Sequence, residues 1–428
     1  MEQILQGPCR IHQQSLNDKQ MKKILISLTA FCLLGLCAGA QNSWWLFPGK
    51  KKAQKKSQAD TTAVVKIDSV ITSEDMIVAA DTLDSDELWL NAFSDELNVS
   101  LILPLKASDE KPSSNFLEMY SGALMAVRDL GRSGIRVNLR VYDSAAPGFS
   151  LDGDLVSGQD VVIGPVEYEG LQTLSAQLGR GRAIVSPLEP KAASLTADGK
   201  LIQSPVPWTR QIDEMVDWLI EETMAGDEVV VIRDVSVQGN GEQSAYLISR
   251  LQQAGVMFRS ISSAEELSQK PLGKYRLMIA SDNDAFITKA VRGIGIASTI
   301  QDNIVLYSSS RVRNCVGPDV FDLYTANTRL CASYFIDYED PAVKDFIIAY
   351  RSLMQSEPGS FAFQGYDTVR YYVAASARFG RRWARRLPEY SHKGLQSDFR
   401  FDYDVADGKQ NIAVRRIVYR PDLTVSLL

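Results

Sequence analysis

Histidine is almost missing from this chain: among 428 residues there are two, His12 and His392. A histidine-rich zinc site is therefore excluded, and any Ser-His-Asp or Cys-His arrangement would have to be built on one of these two. A basic excess is missing as well. The formal net charge is -6, whereas a nucleic-acid-binding surface needs a clear positive balance, so no nucleic-acid partner is expected. Nothing after residue 40 is apolar for long enough to cross a bilayer as a helix. No phosphate-cradling or nucleophile motif and no spaced carboxylate pair stands out. Neither enzymatic activity nor a cofactor is expected. What remains is ordinary: 45% hydrophobic and 23% charged residues can bury a full core, and the length suits two or three compact units.

The clearest local signal is one of export. Met21-Lys22-Lys23 makes a short positive region, Ile24 to Leu36 an apolar stretch, and Ala38-Gly39-Ala40 a small-residue cleavage site before Gln41. Residues 21–40 read as a signal peptide, with Met21 the true start and residues 1–20 an upstream mis-start. A lipoprotein anchor at Cys37 is the alternative, although Leu34-Gly35-Leu36 is a poor motif for it. Cleavage removes Cys9, Cys32, Cys37 and His12, leaving Cys315, Cys331 and His392. An oxidising compartment makes a Cys315–Cys331 disulfide feasible; two buried free thiols are the other reading. His392 lies in Tyr390-Ser391-His392-Lys393-Gly394, which reads as a polar surface turn.

Residues 41–95 read as a flexible tether. Trp44, Trp45, Leu46 and Phe47 precede Lys50-Lys51-Lys52 and Lys55-Lys56, and the stretch then turns acidic through Asp60, Asp68, Asp81, Asp84 and Asp86. The lysines and the two tryptophans also suit an anionic membrane interface, so contact with a membrane is expected only through this tether.

From Leu97 apolar strands and amphipathic helices alternate. Leu97–Leu103 is a strand ended by Pro104, and Phe116, Met119, Tyr120, Ala123, Ala126, Val127 and Leu130 follow at helical spacing. Further strands are read at Val137–Tyr142, Val161–Ile163, Ala183–Val185, Val229–Ile232, Leu277–Ala280 and Ile304–Tyr307, and helices at 208–224, 242–254, 285–294, 341–354 and 362–379. Such alternation means parallel sheets covered by helices, and more than 300 residues of it is too much for one sheet.

Several ordered motifs carry a resemblance. Val162-Ile163-Gly164-Pro165, Ile184-Val185-Ser186-Pro187 and Gln203-Ser204-Pro205-Val206-Pro207 are followed by Asp340-Pro341-Ala342-Val343-Lys344-Asp345-Phe346 with Ala349-Tyr350-Arg351. Then come Ala362-Phe363-Gln364-Gly365-Tyr366-Asp367, Phe401-Asp402, Asp407-Gly408 and the closing strand 414–418. In order and spacing the chain resembles the type I periplasmic binding proteins, the family of leucine/isoleucine/valine-binding proteins and receptor ligand-binding regions. The resemblance implies an α/β fold of two lobes, each a parallel sheet flanked by helices, joined by a hinge of three crossings. Lobe one would combine 97–205 with 335–380, and lobe two 206–334 with 381–428.

Ligands of such sheets sit beyond the carboxyl ends of the strands. The candidate ligand-binding residues are accordingly Glu167, Tyr168, Ser186, Glu189 and Ser194 in lobe one, Asp234, Tyr307 and Ser308 in lobe two, and Tyr366. For any single serine a helix cap or turn role is the competing reading. The family usually places Ser or Thr after Gly-Pro; here stand Val166, Glu167, Tyr168 and Glu169, and the lobe-two loop Tyr307–Arg311 carries no acid to hold an ammonium. Glu167 and Glu189 facing Arg233 or Arg311 would instead make a salt bridge across the lobes. Arg381, Arg382, Arg385 and Arg386, with Arg378, cluster around Trp383; they suit an anionic partner or simply complement a helix C-terminus. Two functions are thus expected in competition. One is an exported solute-binding protein taking an amino-acid or peptide-like ligand, with an ABC transporter permease as partner. The other is a cell-envelope scaffold binding protein or glycan, like the activators of peptidoglycan synthases.

Overall fold

A computed structural model describes residues 11–12 and 96–428, apart from 180–181, 198, 237, 268–272, 301–302, 316–319 and 404–408. The signal peptide, Cys37 and the tether lie outside the described residues. Two seven-stranded sheets organise the rest. The first contains β1 (Leu97–Leu103), β2 (Val137–Asp143), β3 (Val161–Ile163), β4 (Ile184–Ser186) and β5 (Leu201–Gln203), in the order β2-β1-β3-β4-β5. Ile11–His12 lies along β2 at one edge and Lys409–Gln410 along β5 at the other. The second contains β6 (Asp227–Arg233), β7 (Arg259–Ile261), β8 (Lys274–Ala280), β9 (Ile304–Ser309), β10 (Arg329–Ala332), β11 (Arg415–Tyr419) and β12 (Val425–Leu427).

Both sheets are buried on two faces, which explains the near-continuous apolar strands. Along β1, Val99, Leu101 and Leu103 enter one core and Ile102 the opposite one; along β6, Val230 and Ile232 face one layer and Val229 and Val231 the other. Two long helices dominate the first lobe: α1 (Ser114–Arg132) and, near the end, Ser360–Phe379. They press together at glycines. A Cβ on Gly122 would sit 1.8 Å from the Ala362 carbonyl oxygen, and one on Gly365 2.0 Å from that of Met119.

The chain passes between the lobes three times: at 204–207, after β10 at 333–340, and at 411–414. All three passages lie at the carboxyl ends of the parallel strands. β11 consequently starts at the hinge and runs back, antiparallel to β10, and β12 turns antiparallel to it. These two strands depart from the all-parallel expectation for that geometric reason. The allocation of 381–428 to the second lobe also needs division: Trp383, Leu387, Tyr390, Phe399 and Phe401 pack in the first lobe's core, and only β11 and β12 join the second sheet.

Of the two readings of the cysteine pair, that of buried free thiols holds. Cys315 and Cys331 are both free and buried, the first in the core on one face of the second sheet and the second in the core on the other. A sheet separates them, so no bridge can close. Burial pushes the Cys315 thiol up to about 12 and raises that of Cys331 further, so both stay protonated and inert.

Candidate functional site

The carboxyl ends of the two sheets form two rims around the hinge. On the first rim, Asp143 ends β2 fully buried and accepts from the backbone N–H of Lys106 (3.1 Å), Ala107 (2.8 Å) and Ala145 (3.0 Å), fixing the turn after β1. Gly164 is held at φ +93°, where a Cβ would fall 2.2 Å from the Ile102 carbonyl oxygen, so only glycine fits this turn. Helix α2 (Tyr168–Ala176) follows, with Glu167 exposed at its N-cap and making no side-chain cap bond. The Tyr168 and Ser194 hydroxyls lie 3.2 Å apart, Ser194 donates to the Lys191 carbonyl (2.9 Å), and Glu189 accepts from the Lys191 N–H (2.8 Å).

On the second rim, Asp234 follows β6 and accepts from the Ser236 N–H (2.9 Å) and the Ser281 hydroxyl (3.0 Å). Burial works to raise its carboxyl, but the bonds from Ser236 and Ser281 outweigh it and hold the group below the usual carboxylate range. Asp282 accepts from the Ser244 N–H (2.9 Å) at the start of α4 (Glu242–Gln253), the helix that follows α3 (Trp208–Glu222). Arg311 donates to the Asp282 carbonyl (2.5 Å) and the Asp284 carboxylate (2.9 Å). Between these groups lies a notch of about 30 Å³, lined among others by Gln243, Ser244, Ile279, Ser281, Ser308 and Arg311. That is room for about one water-sized group.

The expected site residues therefore divide. Glu167, Tyr168, Glu189 and Ser194 stand on the first rim, and Asp234 and Ser308 on the second. Ser186 has no exposed surface and its hydroxyl has no partner, leaving it beneath the rim. Tyr307 points away from the cleft; its side chain is wholly buried against Trp218 and donates to Glu222 under α3 (2.6 Å). Tyr366 is likewise structural, packing on Phe346 and donating to Asp129 of α1 (3.1 Å). The supposed bridge across the lobes is not formed by Arg311 or Glu189, since Asp284 holds the one and the Lys191 N–H engages the other. His392 is half-buried beside the rings of Tyr371 and Tyr390 and not in an open turn. Among the described residues no cluster of three His, Cys, Asp or Glu could hold a metal ion.

The three crossings of the hinge were expected from the resemblance, but sequence reasoning missed the polar groups that fix them, which come from all three passages. Ser333 donates to the Val206 carbonyl (3.1 Å) and accepts from Gln211 (3.0 Å). Asn411 donates to the carbonyls of Ser204 (3.0 Å) and Asp398 (2.7 Å) and accepts from the N–H of Arg400 (3.0 Å) and Ala413 (3.1 Å). Arg415, its side chain 1% exposed, donates to the carbonyls of Phe335, Leu395 and Gly394 and to the Asp398 carboxylate (2.6 Å). Asp367, fully buried, accepts from the N–H groups of Leu395, Gln396 and Ser397 (2.7–2.9 Å). Arginine inside an otherwise apolar closing strand was the visible sign that a buried charge needed partners.

No protein-family model matches the chain, and no curated protein matches it. Solved structures do. A Rhodospirillum rubrum protein assigned to a branched-chain amino acid ABC transporter aligns with a TM-score of 0.56 at 16% identity, over 78% of this chain and 100% of that one. The Streptococcus pneumoniae branched-chain amino acid binding protein LivJ, in complex with isoleucine, gives 0.44 at 13% identity over 78% and 99%. The C-domain of LpoA from Haemophilus influenzae, a regulator of PBP1A, gives 0.48 at 16% identity over 77% and 99%. The chain has the two-lobed type I periplasmic-binding-protein fold. No described helix is long and apolar enough to cross a membrane.

Proposed function

We propose that this chain is an exported, periplasmic solute-binding protein that captures a small amino-acid or peptide-like ligand between its lobes and leaves it chemically unchanged. The observation that carries this reading is the placing of all three passages at the carboxyl ends of both sheets, which turns the two rims toward each other. The N-terminus of α2, whose N-cap Glu167 makes no side-chain cap bond, borders the first rim, and its N–H groups suit a ligand carboxylate. Tyr168 and Ser194 would contact the ligand from lobe one. Ser308 would do so from lobe two, and Glu167 would take an ammonium. The Rhodospirillum rubrum protein's assignment to a branched-chain amino acid transporter supports the ligand class, and a transporter permease would be the partner.

Thermal unfolding against amino acids, short peptides and muropeptides tests the reading. A ligand at about a hundred times its Kd should stabilise the protein by about 2.7 kcal/mol. A flat response to every compound contradicts it.

A second reading draws on the second rim, where Asp234, Asp282 and Arg311 are all engaged inside their own lobe. Such a rim offers few free charges to a zwitterion and better suits a cell-envelope scaffold that binds a protein or glycan. Recovery of a cell-wall synthase by crosslinking in intact cells, with no small-molecule stabilisation, would favour it.

A further inference from the structure

After the long helix Ser360–Phe379, Arg386 pairs with Glu389 and lies 4.4 Å over the Phe379 ring, and Arg381, Arg382 and Arg385 are exposed on the segment Gly380–Arg385. Arg276 and Arg329 of lobe two, by contrast, share a pocket. This pocket, of about 440 Å³, opens at the amino-terminal ends of β8, β9 and β10, the pole opposite the cleft. Clefts of this size hold small molecules. Arg276 lies early in β8 and Arg329 begins β10, on either side of β9. Asn303 leads into β9 and Asn327 into β10, while Glu221 and Glu222 close the pocket from the end of α3.

The acids of this pocket are already engaged. Glu222 accepts from the Trp218 indole N–H (2.8 Å), the Tyr307 hydroxyl (2.6 Å) and the Arg329 Nε–H (3.1 Å). Arg416 donates twice to Glu221 (2.5 and 3.0 Å). Arg276 holds the wholly buried Asp227 carboxylate through Nε and Nη2 (both 3.0 Å), and Arg329 spends Nη1 on Asn327. Nη1 of Arg276 and Nη2 of Arg329 donate to no described group. The part of each side chain still exposed, 17% and 16%, opens on the pocket. Both guanidiniums lie near enough the Tyr307 hydroxyl to oppose the rise that burial and Glu222 give it, so they converge on one place.

We propose that this pocket is a second ligand site, which takes a small hydroxylated molecule bearing a phosphate or a carboxylate. The anionic group meets the unused N–H edges of Arg276 and Arg329, since a guanidinium offers donors in a fixed fork that matches such oxygens. The hydroxyls meet the carboxamides of Asn303 and Asn327, which can both donate and accept. The site is separate from the cleft and stands whatever the cleft takes.

The test is titration calorimetry of the full chain with glucose 6-phosphate, gluconate and glucose. At least one of the two anions should bind, the tighter naming the anionic group, and neutral glucose should not. Asn303→Asp puts an acid in the pocket while leaving both arginine pairings in place, and should weaken binding on the order of tenfold. Glu221→Gln removes an acid and should strengthen it about threefold. Both side chains are exposed, so unfolding midpoints should stay close to the parent's. In NMR spectra the Nε–H signals of Arg276 and Arg329 should shift on saturation. No binding by either anion, equal binding of glucose, or affinities that neither substitution moves would overturn the proposal. So would binding that leaves both arginine signals unmoved.

Discussion

Hinge and rim are built from the same polar residue types, yet they use them differently. In the hinge the bonds join residues far apart in the chain: Ser204 to Tyr372 (2.8 Å), Gln211 to Ser333, Asn411 to Ser204 and Arg415 to Phe335. On the rims many join near neighbours: Glu189 to Lys191, Ser194 to Lys191 and Asp234 to Ser236. The first kind fixes how the lobes meet. The second kind only shapes a turn. Buried polar groups are tolerated when fully paired, and here most of that pairing goes into keeping three passages in register.

Several changes would break or sharpen this contrast. Arg415→Ala should cost the most, about 3–5 kcal/mol in urea unfolding, because it strands three carbonyls and the Asp398 carboxylate at the hinge. A loss under about 1 kcal/mol would show that the hinge is not held this way. Asp367 should give a pH signature. Burial raises its carboxyl to about 6, against the N–H bonds of Gln396, Leu395 and Ser397 and the charge of Arg415. The folded protein holds this proton more tightly than the unfolded chain, so this group's contribution to stability is fully present below about pH 4. It should fall by about 3 kcal/mol as the pH rises to 6 and then level off. Asp367→Asn should flatten that slope, measured as unfolding midpoint against pH.

Asn411→Ala removes four buried hydrogen bonds and should cost about 1–3 kcal/mol. At the rim, Arg311→Ala should cost no more than about 1 kcal/mol, since its bridge to Asp284 is partly solvated. Reductant should leave the unfolding midpoint unchanged, because Cys315 and Cys331 form no bond.

Much of the fold was legible because strand and helix periods are local. β1, α1, the Gly164–Pro165 turn and the helices near 341–354 and 362–379 all carry their own pattern. Residues 383–401 were misallocated because their rings pack on helix 360–379, a contact that local periodicity cannot express. The antiparallel β11 was hidden for a related reason: its direction follows from where the third passage enters. The site was less legible still. Loops at the strand ends could be named, but not the direction of each side chain. Tyr307 could have been placed from β9 itself, since it alternates with Leu306 and shares the face of Val305 in the core beneath α3.

The central claim is that the lobes close on a ligand about this hinge. The most direct test measures the distance between spin labels at Lys191 and Gln238, one on each rim, with and without a compound that raises the unfolding midpoint. The account predicts a shorter and narrower distance distribution with ligand. An unchanged distribution in the presence of a saturating, stabilising ligand would contradict it.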